Sequence, residues 1–181
     1  MKAATINEIK NELLNTPSPV ITELCLRLAR FKKENKELLT YLLFEASDEE
    51  SYITGVQKEI EEGFQTMNTS SVYLAKKTIR KVLRTTNKYI RYTGSKAVEV
   101  ELLLHFCKLL IHSGLKFKKS NALNNLYNNQ LKKIHLAISS FHEDLQYDYL
   151  KELALLTAEE PSVINRLSSF LTRKPGKSKR S

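Results

Sequence analysis

The chain has 181 residues, of which 41% are hydrophobic and 27% charged, and it carries a formal net charge of +9. That length is enough for one substantial core without disulfides or metals, and no apolar run approaches the roughly 20 residues that cross a bilayer. We therefore expect a soluble, cytoplasmic protein without a membrane partner, and residues 1–12 do not have the apolar region of a signal peptide.

The positive charge is concentrated in the middle of the chain. Residues 1–68 carry 8 basic and 12 acidic side chains, residues 69–142 carry 14 and 2, and residues 143–181 carry 7 and 6. A cationic block beside an acidic N-terminal third indicates either an anionic partner or charge pairing within the protein.

The first two predicted helices begin at recognisable capping signals. Thr5 stands three residues before Glu8, the spacing of a capping box, and predicts a helix to about Asn15. Ser18 followed by Pro19 predicts the N-cap and first position of a second helix, and the apolar residues that follow keep the helical period.

Two more helices are predicted before the basic part of the chain. Residues 37–46 are apolar on most faces, which is typical of a well-buried helix. Ser47 begins a second capping box and opens a helix over residues 47–67. Gly63 weakens the last turn of that helix.

The stretch from Ser70 to Thr93 is predicted to be a strongly amphipathic helix, capped by Thr69 and Ser70. On a helical wheel its apolar residues share one face, and six cations fall within roughly 100° on the other. These cations, here called the basic stripe, are Lys77, Arg80, Lys81, Arg84, Lys88 and Arg91, flanked by Tyr73 and Tyr92. No acidic residue lies in the stretch, so repulsion between neighbouring cations costs roughly 1 to 3 kcal/mol in total.

The next predicted helix is apolar nearly all round. Gly94 ends the basic helix, Ser95 caps its successor, and the pattern continues to Ser113. We expect this helix to lie at the centre of the core. Cys25 and Cys107 sit among leucines in helical patterns, which favours a buried, reduced pair.

The C-terminal third continues the helical pattern. A basic loop over residues 115–120 precedes a long periodic segment with a bend near His142, and a last helix is predicted from about Pro161. Residues 172–181 hold five basic side chains with proline, glycine and serine, and they predict a disordered basic tail.

Together these signals predict an all-α protein with no β-sheet. We expect seven to nine antiparallel helices joined as hairpins, in one domain over residues 1–171. The hairpins could close into a single bundle or stack into an irregular superhelix, as in HEAT and armadillo proteins. The sequence contains no tetratricopeptide, ankyrin or HEAT consensus.

Few patterns point to catalysis or to a bound metal or cofactor. The five glycines are too scattered for a phosphate-binding loop. Glu101, His105 and His112 could face one way on a helix, but the chain has neither HExxH nor CxxC. Cys25 and Cys107 lie on apolar faces, which disfavours a thiolate nucleophile. We therefore expect no enzyme activity, no metal site and no cofactor.

An amide-rich run lies mostly opposite leucines of the same predicted helix. It consists of Asn121, Asn124, Asn125, Asn128, Asn129 and Gln130. Amide side chains can bind base edges, but this position favours a solvated polar face.

The basic stripe has more than one interpretation. Acidic side chains could neutralise it internally, and the candidates are Asp48, Glu49, Glu50, Glu59, Glu61 and Glu62. Alternatively it docks an anionic partner, either an acidic protein or, as our first expectation, nucleic acid. Arg and Lys on successive helical turns can follow a phosphate backbone, and a tyrosine can stack on a base. In a third interpretation the protein is a scaffold that binds a partner helix, and the stripe is merely solvated.

Overall fold

The computed structural model describes residues 2–158, which form eight α-helices and contain no β-strand. They are α1 (Ile6–Leu14), α2 (Ser18–Phe31), α3 (Lys33–Thr40), α4 (Glu49–Gln65), α5 (Val72–Thr93), α6 (Lys96–His112), α7 (Asn121–Ile138) and α8 (Glu143–Ala158). A π-helical turn, Tyr41–Glu45, follows α3, and a 3-10 turn, Phe117–Lys119, precedes α7. Adjacent helices pack as pairs, which confirms the all-α prediction.

The chain divides into two compact units, and the boundary lies between Tyr52 and Ile53, within α4. The prediction of one domain over residues 1–171 extends past the described residues and stays a prediction. The helix predicted from Pro161 and the basic tail at 172–181 also lie outside them. No helix within residues 2–158 is long and apolar enough to cross a membrane.

Capping explains where α1 and α4 begin. The Thr5 hydroxyl accepts a hydrogen bond from the Glu8 backbone N–H, and the Thr5 N–H donates to the Glu8 carboxylate at 2.7 Å, so the predicted capping box is confirmed. At α4 the predicted cap was displaced by one residue. Asp48, rather than Ser47, caps this helix, because its carboxylate accepts the Ser51 backbone N–H at 3.0 Å.

Two other helix starts also differ from the prediction. Ser18 is the first residue of α2 rather than its cap, since the chain leaves the extended conformation one residue earlier. The start of α5 lies after residues 69–70, with Ser71 at the N-cap position. The Asn68 side chain accepts hydrogen bonds from the backbone and hydroxyl of Ser70, which holds that residue in a turn outside the helix.

The prediction of a well-buried helix over residues 37–46 was wrong. This segment is the end of α3 and the π-helical turn, in which only Tyr41 is buried, with its ring 4.6 Å from that of Tyr52. The three apolar residues after Tyr41 are between 56% and 75% exposed. An all-round apolar segment is buried only where other elements surround it, and the N-terminal unit places few around this one.

The central position predicted for α6 is confirmed. The helix packs against both α5 and α7, and Gly94 before it adopts the left-handed conformation, with φ 64°. Ser95 caps it by accepting the Val98 backbone N–H. Its buried residues lie on nearly every face and are Val98, Val100, Leu102, Leu103, Leu104, Phe106, Cys107 and Leu110.

The C-terminal part of the described chain corrects two details. Residues 139–142 interrupt the helix completely between α7 and α8, where the sequence predicted only a bend near His142. Within the amide-rich run Gln130 is buried, whereas the other five amides lie at or near the surface. Its side-chain NH₂ donates to the Leu126 carbonyl at 3.0 Å, which satisfies part of its hydrogen-bonding capacity inside the protein.

Cys107 is buried and reduced, as predicted, and its burial raises the pKa of the thiol far above its usual range. Cys25 is also reduced but only half-buried. The two thiols therefore differ in access, and only Cys107 behaves as a core side chain.

Candidate nucleic-acid interface

The buried face of α5 fixes the direction of the basic stripe. This face packs into the C-terminal unit. It includes the buried Thr86, whose hydroxyl donates a hydrogen bond to the Val82 carbonyl at 3.0 Å. Because buried and basic residues occupy opposite sides of one helix, the stripe must face away from the core. The buried residues are Ala75, Ile79, Val82, Thr86 and Ile90.

Most of the basic stripe is exposed and unpaired. Lys77, Arg80, Lys81, Arg84 and Arg91 are exposed, and none of the five makes an ion pair with any residue in the range 2–158. The repulsion among these charges is therefore not offset by carboxylates of the described structure. The exposed row is available to an anion from solution.

Lys88 and the two predicted tyrosines have different surroundings. The Lys88 ammonium lies 4.5 Å from the centre of the Tyr89 ring and 5.9 Å from that of Tyr92, close enough for cation–π attraction. Tyr73 is 75% exposed in the first turn of the helix. Since 19 residues of helix separate Tyr73 from Tyr92, the two rings lie roughly 28 Å apart along the axis. Of these two tyrosines, Tyr73 has the more exposed ring.

Three of the six acidic residues that could neutralise the stripe contact other groups. The Tyr89 hydroxyl donates to the Glu59 carboxylate at 2.6 Å, and a Glu61 oxygen lies 3.1 Å from the His105 Nε2. Asp48 accepts its hydrogen bond at the start of α4. Pairing of Glu59 and Glu61 with Lys76 and Lys77, as internal neutralisation required, does not occur.

A groove between α4 and α5 bounds one edge of the stripe. It has a volume of about 340 Å³, and its walls carry Glu59 and Glu62 from α4 and Lys81 and Tyr89 from α5. The carboxylates make this edge unfavourable for a phosphate. An anion on the stripe is therefore directed away from the groove.

The opposite edge gains a cation that sequence reasoning missed. Lys133 of α7 donates a hydrogen bond to the Asn87 side-chain oxygen at 3.3 Å. On the helical wheel Asn87 lies beside Arg80 and Arg91, so the Lys133 ammonium extends the basic surface there. In the sequence Lys133 is visible only as one of two adjacent lysines on the polar side of α7. That Lys133 lies beside α5 depends on the tertiary packing of the two helices, because Lys133 and Asn87 are 46 residues apart in the sequence.

The residues considered as metal ligands are dispersed among other contacts. Glu101 accepts a hydrogen bond from Tyr149 at 2.9 Å, and His112 Nδ1 lies 2.8 Å from the Lys108 carbonyl oxygen. His105 instead faces Glu61. Among residues 2–158 no three histidine, cysteine, aspartate or glutamate side chains are grouped as a metal site would need.

The neutral His105 ring is expected to make the protein less stable in acid. Burial lowers the pKa of His105 and Lys108 lowers it further, while the Glu61 carboxylate acts in the opposite direction. Because the folded pKa lies below the unfolded value of about 6.5, the unfolded chain binds more protons, and stability is lost as the pH falls through the folded pKa. Between about pH 7.5 and 5.5 the urea midpoint should fall less for His105→Gln than for the native chain. Equal decreases would contradict this.

The chain matches no protein-family model, no curated protein and no solved structure. The case for a function therefore rests on the residues described above.

Proposed function

We propose that this protein is a non-catalytic helical module that binds the phosphate backbone of nucleic acid on the basic stripe of α5. The proposal rests on five exposed cations that share one helix face and make no ion pair within the described residues. Phosphates would remove the repulsion among these cations and release their own counterions, so binding is favourable on both sides.

The length of the stripe suits a nucleic-acid strand. From Lys77 to Arg91 the helix advances roughly 21 Å, a distance that spans about three to four neighbouring phosphates of one strand, which lie roughly 6 Å apart. The stripe holds six cations over that length. Arg80, Arg84 and Arg91 can each donate two hydrogen bonds to one phosphate, whereas the lysines act as point charges.

The two edges of the stripe give the bound backbone a preferred position. Lys133 adds charge beside Arg80 and Arg91, while Glu59 and Glu62 oppose charge in the groove beside Lys81. We expect the phosphates to follow the Lys133 edge. Contacts to the backbone alone carry little sequence information, so binding should depend weakly on base sequence.

The first test is fluorescence anisotropy with labelled single-stranded and duplex oligonucleotides over a series of salt concentrations. We expect micromolar affinity at low salt and a log–log slope of about −3 for the duplex, since each neutralised phosphate contributes about −0.9. Changing Lys77, Arg80, Arg84 and Arg91 together to glutamate should abolish binding.

A matched control separates the stripe from net charge. Lys2, Lys10, Lys32 and Lys36 are exposed residues of the N-terminal unit, and changing all four to glutamate alters the net charge by the same amount. This control should retain most of the binding. Equal losses in the two variants, or no binding by a folded native chain at low salt, would refute the proposal and favour the protein-scaffold interpretation.

Two single changes test the detail of the interface. Lys133→Ala should make the slope of log affinity against log salt concentration shallower by about 0.9, because it removes one cation, and so one phosphate contact, from the favoured edge. Tyr73→Ala should weaken single-stranded binding more than duplex binding, since only unpaired bases can stack on its ring. If Tyr73→Ala weakened duplex binding more than single-stranded binding, stacking of bases on Tyr73 would be excluded.

A further inference from the structure

The N-terminal unit leaves an apolar face of α2 uncovered. No side chain of α2 is fully buried. Val20, Leu24, Leu28 and Phe31 are between 42% and 75% exposed, and their spacing places them within roughly 80° on the helical wheel. These four residues, here called the α2 face, form the kind of row that packs into a partner helix.

The edges of the α2 face are unlike each other. One edge carries Glu23 in the N-terminal half and Arg27 and Arg30 in the C-terminal half, all exposed. The other edge is formed by Ile21 and Cys25, both half-buried. The charged edge therefore changes sign along the helix axis.

We propose that a second copy of this chain covers the α2 face by antiparallel, two-fold pairing of α2 with α2. A two-fold axis perpendicular to the helices brings the same edge of both copies together in opposite directions. Glu23 of each copy then meets Arg27 and Arg30 of the other. Parallel pairing would place this charged edge against Ile21 and Cys25, where the carboxylate has no basic partner.

The apolar residues define the register of the pair. When Leu24 lies opposite Leu28 of the second copy, the two-fold axis passes near the level of Leu26. Glu23 then lies between Arg27 and Arg30 of the other copy, within about two residues of each along the axis. Apolar contact and charge pairing therefore require the same register.

The α2 face gives the contact its apolar centre. Its four side chains are exposed and together present on the order of 400 Å², about half of the roughly 800 Å² that each partner buries in a standard interface. The charged edge lies beside this centre and forms the polar rim of the contact.

The first measurement is the mass of the full chain by light scattering and sedimentation equilibrium. We expect a dimer, with twice the chain mass of 20.8 kDa, at concentrations of tens of micromolar. Leu28→Glu should give a monomer. Leu26 lies on the opposite side of α2, so Leu26→Glu is the matched control and should remain dimeric. Circular dichroism verifies that each variant keeps its helices, and a folded native chain that stays monomeric overturns the proposal.

Charge reversal tests the antiparallel register. Glu23→Arg leaves only basic residues on the edge, and the double variant Arg27→Glu with Arg30→Glu leaves only acidic ones, so each should be monomeric alone. Mixed in equal amounts, the two variants should form a heterodimer, because every contact across the edge then joins opposite charges. A native dimer whose variants do not pair on mixing would overturn this arrangement of α2.

Discussion

Replacing Phe106 by alanine is expected to lower the free energy of unfolding by about 3–5 kcal/mol. Phe106 is fully buried at the middle of α6, and its ring lies 5.4 Å from that of Phe64 at 62°, an edge-on arrangement. Because α6 packs against both α5 and α7, its neighbours cannot close the space without moving other helices. The cavity therefore adds to the loss of apolar contact.

Equilibrium unfolding in urea, followed by circular dichroism, measures this change. Phe44 is the matched control, since it is 75% exposed and its replacement by alanine should alter stability by less than about 0.5 kcal/mol. A loss below about 1 kcal/mol for Phe106→Ala would mean that the site collapses freely, and it would contradict a central position for α6.

The same comparison shows what an apolar pattern can and cannot predict. Residues 37–46 and α6 are both apolar on most faces, yet Leu43 is exposed and Leu103 is fully buried. An apolar pattern shows only that the side chains would gain free energy on leaving water, and this is a property of each residue alone. Burial also requires neighbouring elements on each side, and their number depends on tertiary packing.

The candidate interface also has a part that the sequence predicts and a part that depends on tertiary packing. The basic stripe could be predicted because helical period alone places residues three and four apart on one face. The addition of Lys133 could not, because it depends on how α7 packs beside α5. The partners of Glu59 and Glu61 could not be predicted from the sequence either, since each carboxylate contacts a residue of another helix. Residues joined by tertiary contacts carry no periodic signal.

Gly63→Ala is expected to destabilise the protein, although alanine is the better helix former. A methyl group at residue 63 would lie 2.5 Å from Val82 Cγ2, well inside van der Waals contact. Val82 is buried on α5, and a β-branched side chain in a helix has one strongly preferred rotamer, so it cannot easily turn away. Overpacking costs about 1–3 kcal/mol, whereas the gain in helix propensity is at most about 1 kcal/mol and is smaller in the last turn of α4, where Gly63 lies. Gly63 therefore permits α4 and α5 to cross closely, a role that its sequence context did not reveal.

A second glycine of α4 provides the control for this prediction. No atom lies within 4 Å of a methyl group placed at Gly55, so Gly55→Ala should stabilise the helix by up to about 1 kcal/mol. The two alanine variants should differ by about 1 to 3 kcal/mol in urea unfolding, because the gain in helix propensity is common to both. Val82→Ala should cost less stability in the Gly63→Ala background than in the native chain, since it removes the methyl group that the new side chain meets. Equal stabilities would show that α4 and α5 do not cross at Gly63. Because Val82 lies on the face opposite the basic stripe, Gly63→Ala should reduce stability while the folded protein keeps its exposed cations.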